Sequence, residues 1–358
     1  MNVKETVKQL PLTPGVYLMK DQYGTVIYVG KAKRLKLRVQ SYFHNSASHP
    51  QKIKKMVANI HEFDYFQTDT EFEAFMLECK LIKELKPNFN KKMKSHLAYS
   101  YIAIKTAGPY RKISITTEKA ERDDTLYFGP YTSPIYVKKA IENLKEYFHI
   151  NCLHPLKGSA CLNYSIGQCN GLCLGGDAVE QYNAIVDQFI ALLQGTDMEI
   201  LEELKRKMEQ TSEEFRFEDA VKYRNYIKSF SILLYKESVI HFSEANKNIA
   251  VIERLSDSSV KLFLIKGHEM IFSEKFSFEN VERLSETIKV NIFTYFHENA
   301  HRESLSISKE NLDEAQIIFS YLNSTNAKFT VIPDRWIESR DFAQLDDVIK
   351  QLLMNIKS

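Results

Sequence analysis

The stretch from Pro14 to Phe43, PGVYLMKDQYGTVIYVGKAKRLKLRVQSYF, constrains the fold more than any other part of the chain. Two short runs rich in Val, Ile and Tyr, Gly15–Met19 and Val26–Val29, flank a Lys-Asp-Gln-Tyr-Gly turn. Asp21 and Gly24 are the turn formers, so the segment predicts a β-hairpin with Tyr17 on one strand and Tyr28 on the other. The second strand is expected to end at Gly30, with a basic helix after it carrying Lys31, Lys33, Arg34, Lys36 and Arg38. Between Asp21 and Glu62 there is no acidic residue and there are eight Lys or Arg. Such a surface attracts a polyanion. A solvated basic helix beside a structural hairpin has the same composition, and charge alone leaves both readings open.

The basicity is local, because the net charge of the 358 residues is only +2. The length and a 44% apolar content allow two or three domains with real cores. No apolar run approaches a membrane span and MNVKETVKQL lacks a secretory apolar region, so a soluble, cytoplasmic protein with no membrane partner is expected. Four of the five cysteines fall between Cys152 and Cys173. In a reducing compartment that clustering favours metal binding over disulfides.

After a lead-in over residues 1–13, the hairpin and basic helix are followed by a loop at 46–50 and a helix over Gln51–Ile60. A third strand is expected over Phe63–Thr68. Thr70-Glu71-Phe72-Glu73 forms a capping box that starts a helix, and Pro87 stops it. Glu78 lies in that helix with Ala74, Phe75, Ile82 and Leu85 at helical spacing around it. A carboxylate among apolar neighbours needs a partner: a Lys or Arg, or a metal ion. Cys79 reads as a small core residue.

Ala98–Lys105 and Lys112–Thr116 read as strands, and Val137–Phe148 as a helix. Cys152, Cys161, Cys169 and Cys173 are separated by eight, seven and three residues, without a CxxC knuckle. Four thiolates this close can hold zinc or an iron–sulfur cluster. Residues 180–243 are helical, with a break near Gln194–Asp197 and an antiparallel hairpin turning near Phe217. Phe217 is then an exposed anchor or an ordinary core residue. From Ile249 the order is βββαβαβα: strands at Ile249–Leu255, Val260–Ile265, Met270–Phe276, Leu305–Ser308 and Phe329–Ile332, and helices at Val281–Phe296, Leu312–Leu322 and Leu345–Ile356. That order is like ribonuclease H-like folds. Glu253 is the sole acid in the first of these strands, so no set of carboxylates for two metals is apparent.

Gly15-Val16-Tyr17, Tyr28-Val29-Gly30, Lys31-Ala32-Lys33, Arg38 and Ser41-Tyr42-Phe43 together resemble the GIY-YIG nuclease domain, in the form found in the UvrC family of excinucleases. Glu73–Glu78, Leu81-Ile82-Lys83, Lys86–Asn90 and Tyr127–Ser133 extend the resemblance. It implies one divalent metal, Mg2+ or Mn2+, on Glu78. It also implies Tyr28 as the group that takes the proton of the attacking water, with Lys31 beside it, and Arg38 as the counter-charge for the phosphate. Tyr17 and Tyr42 would fix phosphate or water, Asn90 would line the site, and Lys33 and Arg34 would contact DNA. For Cys152, Cys161, Cys169 and Cys173 the family implies a [4Fe–4S] cluster, with zinc as the alternative. Ser159-Ala160 and Leu172 depart from the Arg-Pro and Pro usual there.

The segment Met208–Ile227 resembles the UVR motif, with Phe217, Glu218, Ala220, Arg224 and Ile227 in matching places and Phe215 and Asn225 as departures. The motif implies docking to UvrB. The expected fold class is therefore multidomain α+β. A small GIY-YIG α/β domain (1–97) is followed by a linker region with the four-Cys site (98–178). A helical region with the UVR motif at about 205–240 (179–243) and a C-terminal α/β domain, inactive and ribonuclease H-like (244–358), complete it. The chain reads as a short form without the C-terminal nuclease and helix-hairpin-helix domains, similar to the excinuclease Cho but with a UVR motif. The implied activity is a single incision on the 3′ side of a lesion in damaged double-stranded DNA, in a complex with UvrB. The alternative is a nuclease-inactive adaptor that binds UvrB or senses redox state through its cluster.

Overall fold

In the computed structural model, which describes residues 7–43, 50–91, 93, 99–120, 124–300, 311–324, 328–339 and 342–357, the hairpin consists of β1 (Gly15–Lys20) and β2 (Val26–Ala32). The Asp21 carboxylate accepts the N–H groups of Tyr23 and Thr25 and closes the turn, and Gly24 adopts φ 77. β3 (Glu62–Gln67) pairs with the free side of β1, giving the antiparallel order β2-β1-β3. β2 does not end at Gly30. It continues to Ala32, so Lys31 is a strand residue and the helix after it, α1 (Leu35–Phe43), starts later than expected. Gly30 faces Tyr17 across the ladder, and a Cβ there would lie 2.4 Å from the Tyr17 hydroxyl. The glycine therefore makes room for a ring and does not break the strand.

Each face of this sheet has its own cover. Tyr17, Met19 and Phe63 pack with Leu35, Val39 and Tyr42 of α1 and with Met56 of α2 (Gln51–Ala58). On the other face, Ala74 and Ile82 of α3 (Glu71–Leu85) meet Val16, Leu18 and Val29. The capping box at the start of α3 is formed: Thr70 accepts from the Glu73 N–H, and Glu73 accepts from the Thr70 N–H. Lys86 ends the helix in the left-handed region, φ 47, just before Pro87.

Residues 242–358 pack with 1–95 as one compact unit, where the sequence suggested a domain apart. Their strands β7 (Asn248–Ser256), β8 (Ser259–Lys266), β9 (Glu269–Ser277) and β10 (Lys328–Ile332) form an antiparallel sheet of order β10-β7-β8-β9. One face carries two long helices, Val281–Glu298 and Phe342–Lys357. The other face packs Val251, Phe263 and Ile265 against Phe72 and Cys79 of α3 and against Ile317 and Ile318 of the helix Leu312–Leu322. Phe72 stacks on Tyr321 at 4.0 Å between centroids and meets Phe263 edge-on at 5.1 Å. Lys261, 6% exposed, places its Nζ 2.7 Å from Asp69 and 2.8 Å from the capping-box Glu73. So α3 is clasped on both sides, and ion pairs from the buried Lys261 close its N-terminal end. The expected strand at 305–308 and the loop at 46–49 lie outside the described residues.

Residues 96–241 form the second unit. Its sheet has the order β5 (Lys112–Thr116), β4 (Ser100–Lys105), β6 (Thr125–Tyr131). The helix after β6 starts at Pro134, three residues before the expected Val137, because Pro at N1 needs no N–H partner. Ile102, Ile104 and Phe128 of the sheet and Val137 and Leu144 of that helix join one core with Cys161, Cys169 and Cys173, and with three further helices: Asp177–Leu193, Glu199–Glu213 and Phe217–Glu244. The hairpin turn falls at 214–216, beside Phe217 as expected. Tyr131 donates to the Glu237 carboxylate at 2.5 Å inside this core, which ties the Tyr-Phe-Gly-Pro-Tyr segment to the last helix.

Candidate active site and metal centre

Three tyrosines converge on one face of the β1–β2 hairpin. The Tyr17 and Tyr42 hydroxyls are 2.9 Å apart, and the ring centroids of Tyr17, Tyr28 and Tyr42 lie 6.0 to 6.4 Å from one another. Tyr17 and Tyr28 share a face because they sit on the same side of paired strands, and Tyr42 reaches them from α1. Arg38, one helical turn before Tyr42, places its guanidinium 5.2 Å from the Tyr42 ring centre. Burial raises the Tyr28 hydroxyl far above its usual range, Tyr42 and Glu78 add to this, and Arg38 opposes it. Tyr17 is also raised, for the same first reason. The Tyr17 and Tyr42 hydroxyls share one hydrogen bond in which either can donate.

Glu78 projects from α3 toward the end of β2, and its Oε1 accepts the Lys31 N–H at 3.0 Å. Burial raises its carboxyl above the ordinary range, while the Lys31 N–H and the charges of Lys31 and Arg38 pull it down. The second carboxylate oxygen takes no hydrogen bond among the described residues, so it is an oxygen ligand in reserve. A half-buried carboxylate of this kind fits a hard divalent cation such as Mg2+ or Mn2+.

Lys31 and Asn90 meet the site through the β2 backbone. Lys31 is three residues from Tyr28 on a strand, so alternation turns it to the opposite face. Its ammonium lies 2.8 Å from the Glu71 carboxylate and 4.5 Å from the Phe75 ring centre, and Arg38 is the cation that acts on Tyr28. Asn90 spends its amide on the Val29 backbone: its Oδ1 accepts the N–H at 3.0 Å and its Nδ2 donates to the C=O at 2.8 Å. It fixes the strand next to Tyr28. Lys31, Lys33, Arg34, Arg38, Ser41 and Glu71 line an open cleft beside the site. Glu71 was not singled out from the sequence, where the capping box accounts for an acid in the first turn of a helix.

In the other unit, Cys152, Cys161, Cys169 and Cys173 bring their sulfurs within 4.8 Å of one another. The last three are buried and Cys152 is partly exposed. An isolated bridge between Ile150 and Cys169 holds two of the segments together. The Leu153 and Tyr164 N–H groups point at the Cys161 sulfur and hold its thiol below the usual range, whereas burial raises Cys152. Four soft sulfur donors fit zinc or an iron–sulfur centre. A single tetrahedral zinc spaces its sulfurs by about 3.8 Å, within the observed span; an iron–sulfur cube holds them further apart.

At the hairpin tip, Phe217 is 59% exposed and Phe215 79% exposed, and their rings meet edge-on. Met208, Ser212, Phe217, Ala220, Val221 and Arg224 line a shallow cleft there. The core reading of Phe217 is set aside by this exposure. Glu218 lies in the first turn of the last helix.

A three-stranded antiparallel sheet with three convergent tyrosines, an arginine and one reserved carboxylate on a flanking helix defines a GIY-YIG nuclease domain. The model of the UvrC-like GIY-YIG domain matches residues 13–91, that of the UvrC/Cho excinuclease middle domain 99–192, and that of the UvrB/uvrC motif 199–232. The chain belongs to the UvrC family. UvrABC system protein C of Caldanaerobacter subterraneus is 35% identical over 88% of this chain and 52% of that protein. Its counterpart in Caldicellulosiruptor saccharolyticus is 38% identical over 87% of this chain and 52% of that protein. The chain thus spans about half the length of the curated relatives it matches. The magnesium-bound crystal structure of the GIY-YIG N-terminal endonuclease domain of UvrC from Thermotoga maritima is similar at 35% identity, over 25% of this chain and 96% of that one, with a TM-score of 0.23. No helix among the described residues is long and apolar enough to cross a membrane.

Proposed function

We propose that this chain is a metal-dependent DNA endonuclease of nucleotide excision repair. It makes one incision on the 3′ side of a lesion in damaged double-stranded DNA while docked on UvrB. The observation that carries this is the meeting of Tyr17, Tyr28, Tyr42, Arg38 and Glu78 beside a cleft lined by Lys31, Lys33 and Arg34. Glu78 would hold the Mg2+ or Mn2+, which would supply Lewis acidity to phosphodiester hydrolysis. Arg38 faces the charge that develops on the phosphorus oxygens. Once the positive charge brought to the site offsets the burial that raises it, the Tyr28 hydroxyl would give its proton to solvent, and the phenolate would then take the proton of the attacking water. Tyr17 and Tyr42 form a paired hydroxyl array that orients phosphate or water, and Asn90 holds the β2 backbone under Tyr28. Lys33 and Arg34 contact the DNA backbone. The test is nicking of lesion-bearing plasmid with UvrB and Mg2+. The expected result is one nick 3′ to the lesion, lost with a chelator. Absence of nicking under these conditions favours the adaptor reading.

The partner is read from the hairpin tip, where an exposed Phe217 is flanked by Glu218 and Arg224. Truncating a central aromatic anchor costs on the order of 2 kcal/mol, roughly thirtyfold in affinity. Phe217→Ala is expected to weaken UvrB binding by about that factor and leave the melting temperature unchanged, as read by titration calorimetry and thermal unfolding. Unaltered UvrB affinity would refute the docking assignment.

The family favours a [4Fe–4S] cluster on Cys152, Cys161, Cys169 and Cys173, and the close approach of the four sulfurs favours zinc. Visible absorbance and iron content of protein purified without oxygen separate them. A cytoplasmic location suits a DNA-repair endonuclease whose four clustered thiols are set for a metal and not for disulfides. The described residues of 244–358 do not carry the ribonuclease H-like reading: their order is three strands, two helices, a strand and two helices, and β10 pairs antiparallel with β7 in an all-antiparallel sheet.

A further inference from the structure

The cleft beside the tyrosines holds one carboxylate among four cations. Lys31, Lys33, Arg34 and Arg38 line it, and among the described residues Glu71 is the single acid with them. A carboxylate in a phosphate-binding cleft opposes the ligand by like charge, so its presence there calls for a reason. Glu71 is in the first turn of α3 and Glu78 is two turns further along the same helix. Lys31 is held at both: its N–H donates to Glu78 at 3.0 Å and its Nζ to Glu71 at 2.8 Å. The Phe75 ring, 4.5 Å from the ammonium, limits the remaining freedom of the side chain. A four-carbon stem without these contacts sweeps a wide arc and loses much rotamer entropy on meeting a phosphate.

We propose that Glu71 is a positioning residue, which holds the Lys31 ammonium over the rim of the Glu78 site and yields it to a DNA phosphate when the strand enters. The inference rests on the nuclease reading above. It makes two effects of opposite sign. Glu71 weakens ground-state DNA binding, because it competes for Lys31 and repels phosphate. It raises turnover, because Lys31 is already aimed. The Lys31 and Glu71 side chains are 27% and 49% exposed, so the pair is weak and screened by salt.

The experiment is Glu71→Gln in the full chain, with three readouts. DNA affinity, measured by fluorescence anisotropy on a lesion-bearing duplex at low salt, is expected to tighten by about threefold. The gain is expected to vanish at about 0.5 M salt. Single-turnover nicking at saturating DNA is expected to fall by about tenfold, with Glu71→Asp restoring part of it. Mn2+ affinity is expected to stay within about twofold, since Glu78 remains. In a Lys31→Met background, Glu71→Gln should change turnover no further and should lose the Lys31-dependent share of the tighter binding.

Weaker DNA binding together with slower nicking and a lower melting temperature would show a merely structural role and overturn the proposal. A tenfold loss of Mn2+ affinity would make Glu71 a metal ligand and overturn it as well. If the wild-type chain does not nick, the nuclease reading fails. The affinity arm then still decides the contest for Lys31: tightening that depends on Lys31 supports it, and unchanged affinity overturns it.

Discussion

Glu78→Gln is expected to lower metal-dependent nicking by at least about a thousandfold and to raise the melting temperature at neutral pH. The two effects have one cause. Burial makes the charged carboxylate costly in the folded chain, so its folded-state pKa lies above the unfolded value. The sign follows from linkage. Below the unfolded pKa the group is protonated in both states and costs nothing. As pH rises from the unfolded value through the raised folded value, the unfolded chain gains the charge more readily, and stability is lost. Gln avoids this cost and still offers a carbonyl oxygen to the Lys31 N–H. The variant should therefore melt higher than wild type at pH 8, and the gap should close near pH 4, while added Mn2+ should stabilise wild type alone. Wild-type-like nicking by the variant, or a melting temperature lower at pH 8 than at pH 4 relative to wild type, would remove Glu78 from the site.

Cys169→Ser is expected to release the metal from the four-thiol site and to loosen the whole 96–241 unit. Cys169 is buried in the same core as Phe189, Tyr182 and Leu172, and its backbone bridges to Ile150. Loss of one of four sulfur ligands removes binding energy that is also folding energy, of order 10 kcal/mol for structural zinc sites in peptides. Metal per chain, measured by mass spectrometry, should fall from near stoichiometric to a small residue, and the melting transition of this unit should drop by more than about 10 °C. Wild-type protein without zinc or iron would contradict the metal centre outright. Retention of metal by the variant would show that Cys169 is not among its ligands.

Much of the nuclease fold was legible because its signals are local. Asp21 and Gly24 mark the hairpin turn, the Thr70–Glu73 box marks the start of α3, and Pro87 marks its end. Glu78 stands out as an acid among apolar neighbours. The four cysteines converge as their clustering suggested, although spacing cannot choose between zinc and iron–sulfur. Lys31 is harder to place, because a glycine before a basic run reads locally as a strand end. The real role of Gly30, clearance for the Tyr17 ring across the ladder, is a contact thirteen residues away and leaves no local trace. The same limit hides the second cover of α3. Phe72 and Cys79 look like ordinary apolar helix positions, and nothing near them points to Phe263, Val251 or the cation Lys261 almost two hundred residues further on.

That distance has a consequence for the newborn chain. α3 leaves the ribosome long before the sheet that covers its second face, and at 5–20 residues per second the wait is roughly 10 to 40 seconds. During that interval Phe72 and Cys79, buried in the finished unit, lie open to water on an already capped helix. The early half of this protein is thus the part most exposed to capture by a holdase or by a neighbouring nascent chain. Slowing translation between Lys86 and Phe242 should lower the soluble yield more than slowing it after Leu322.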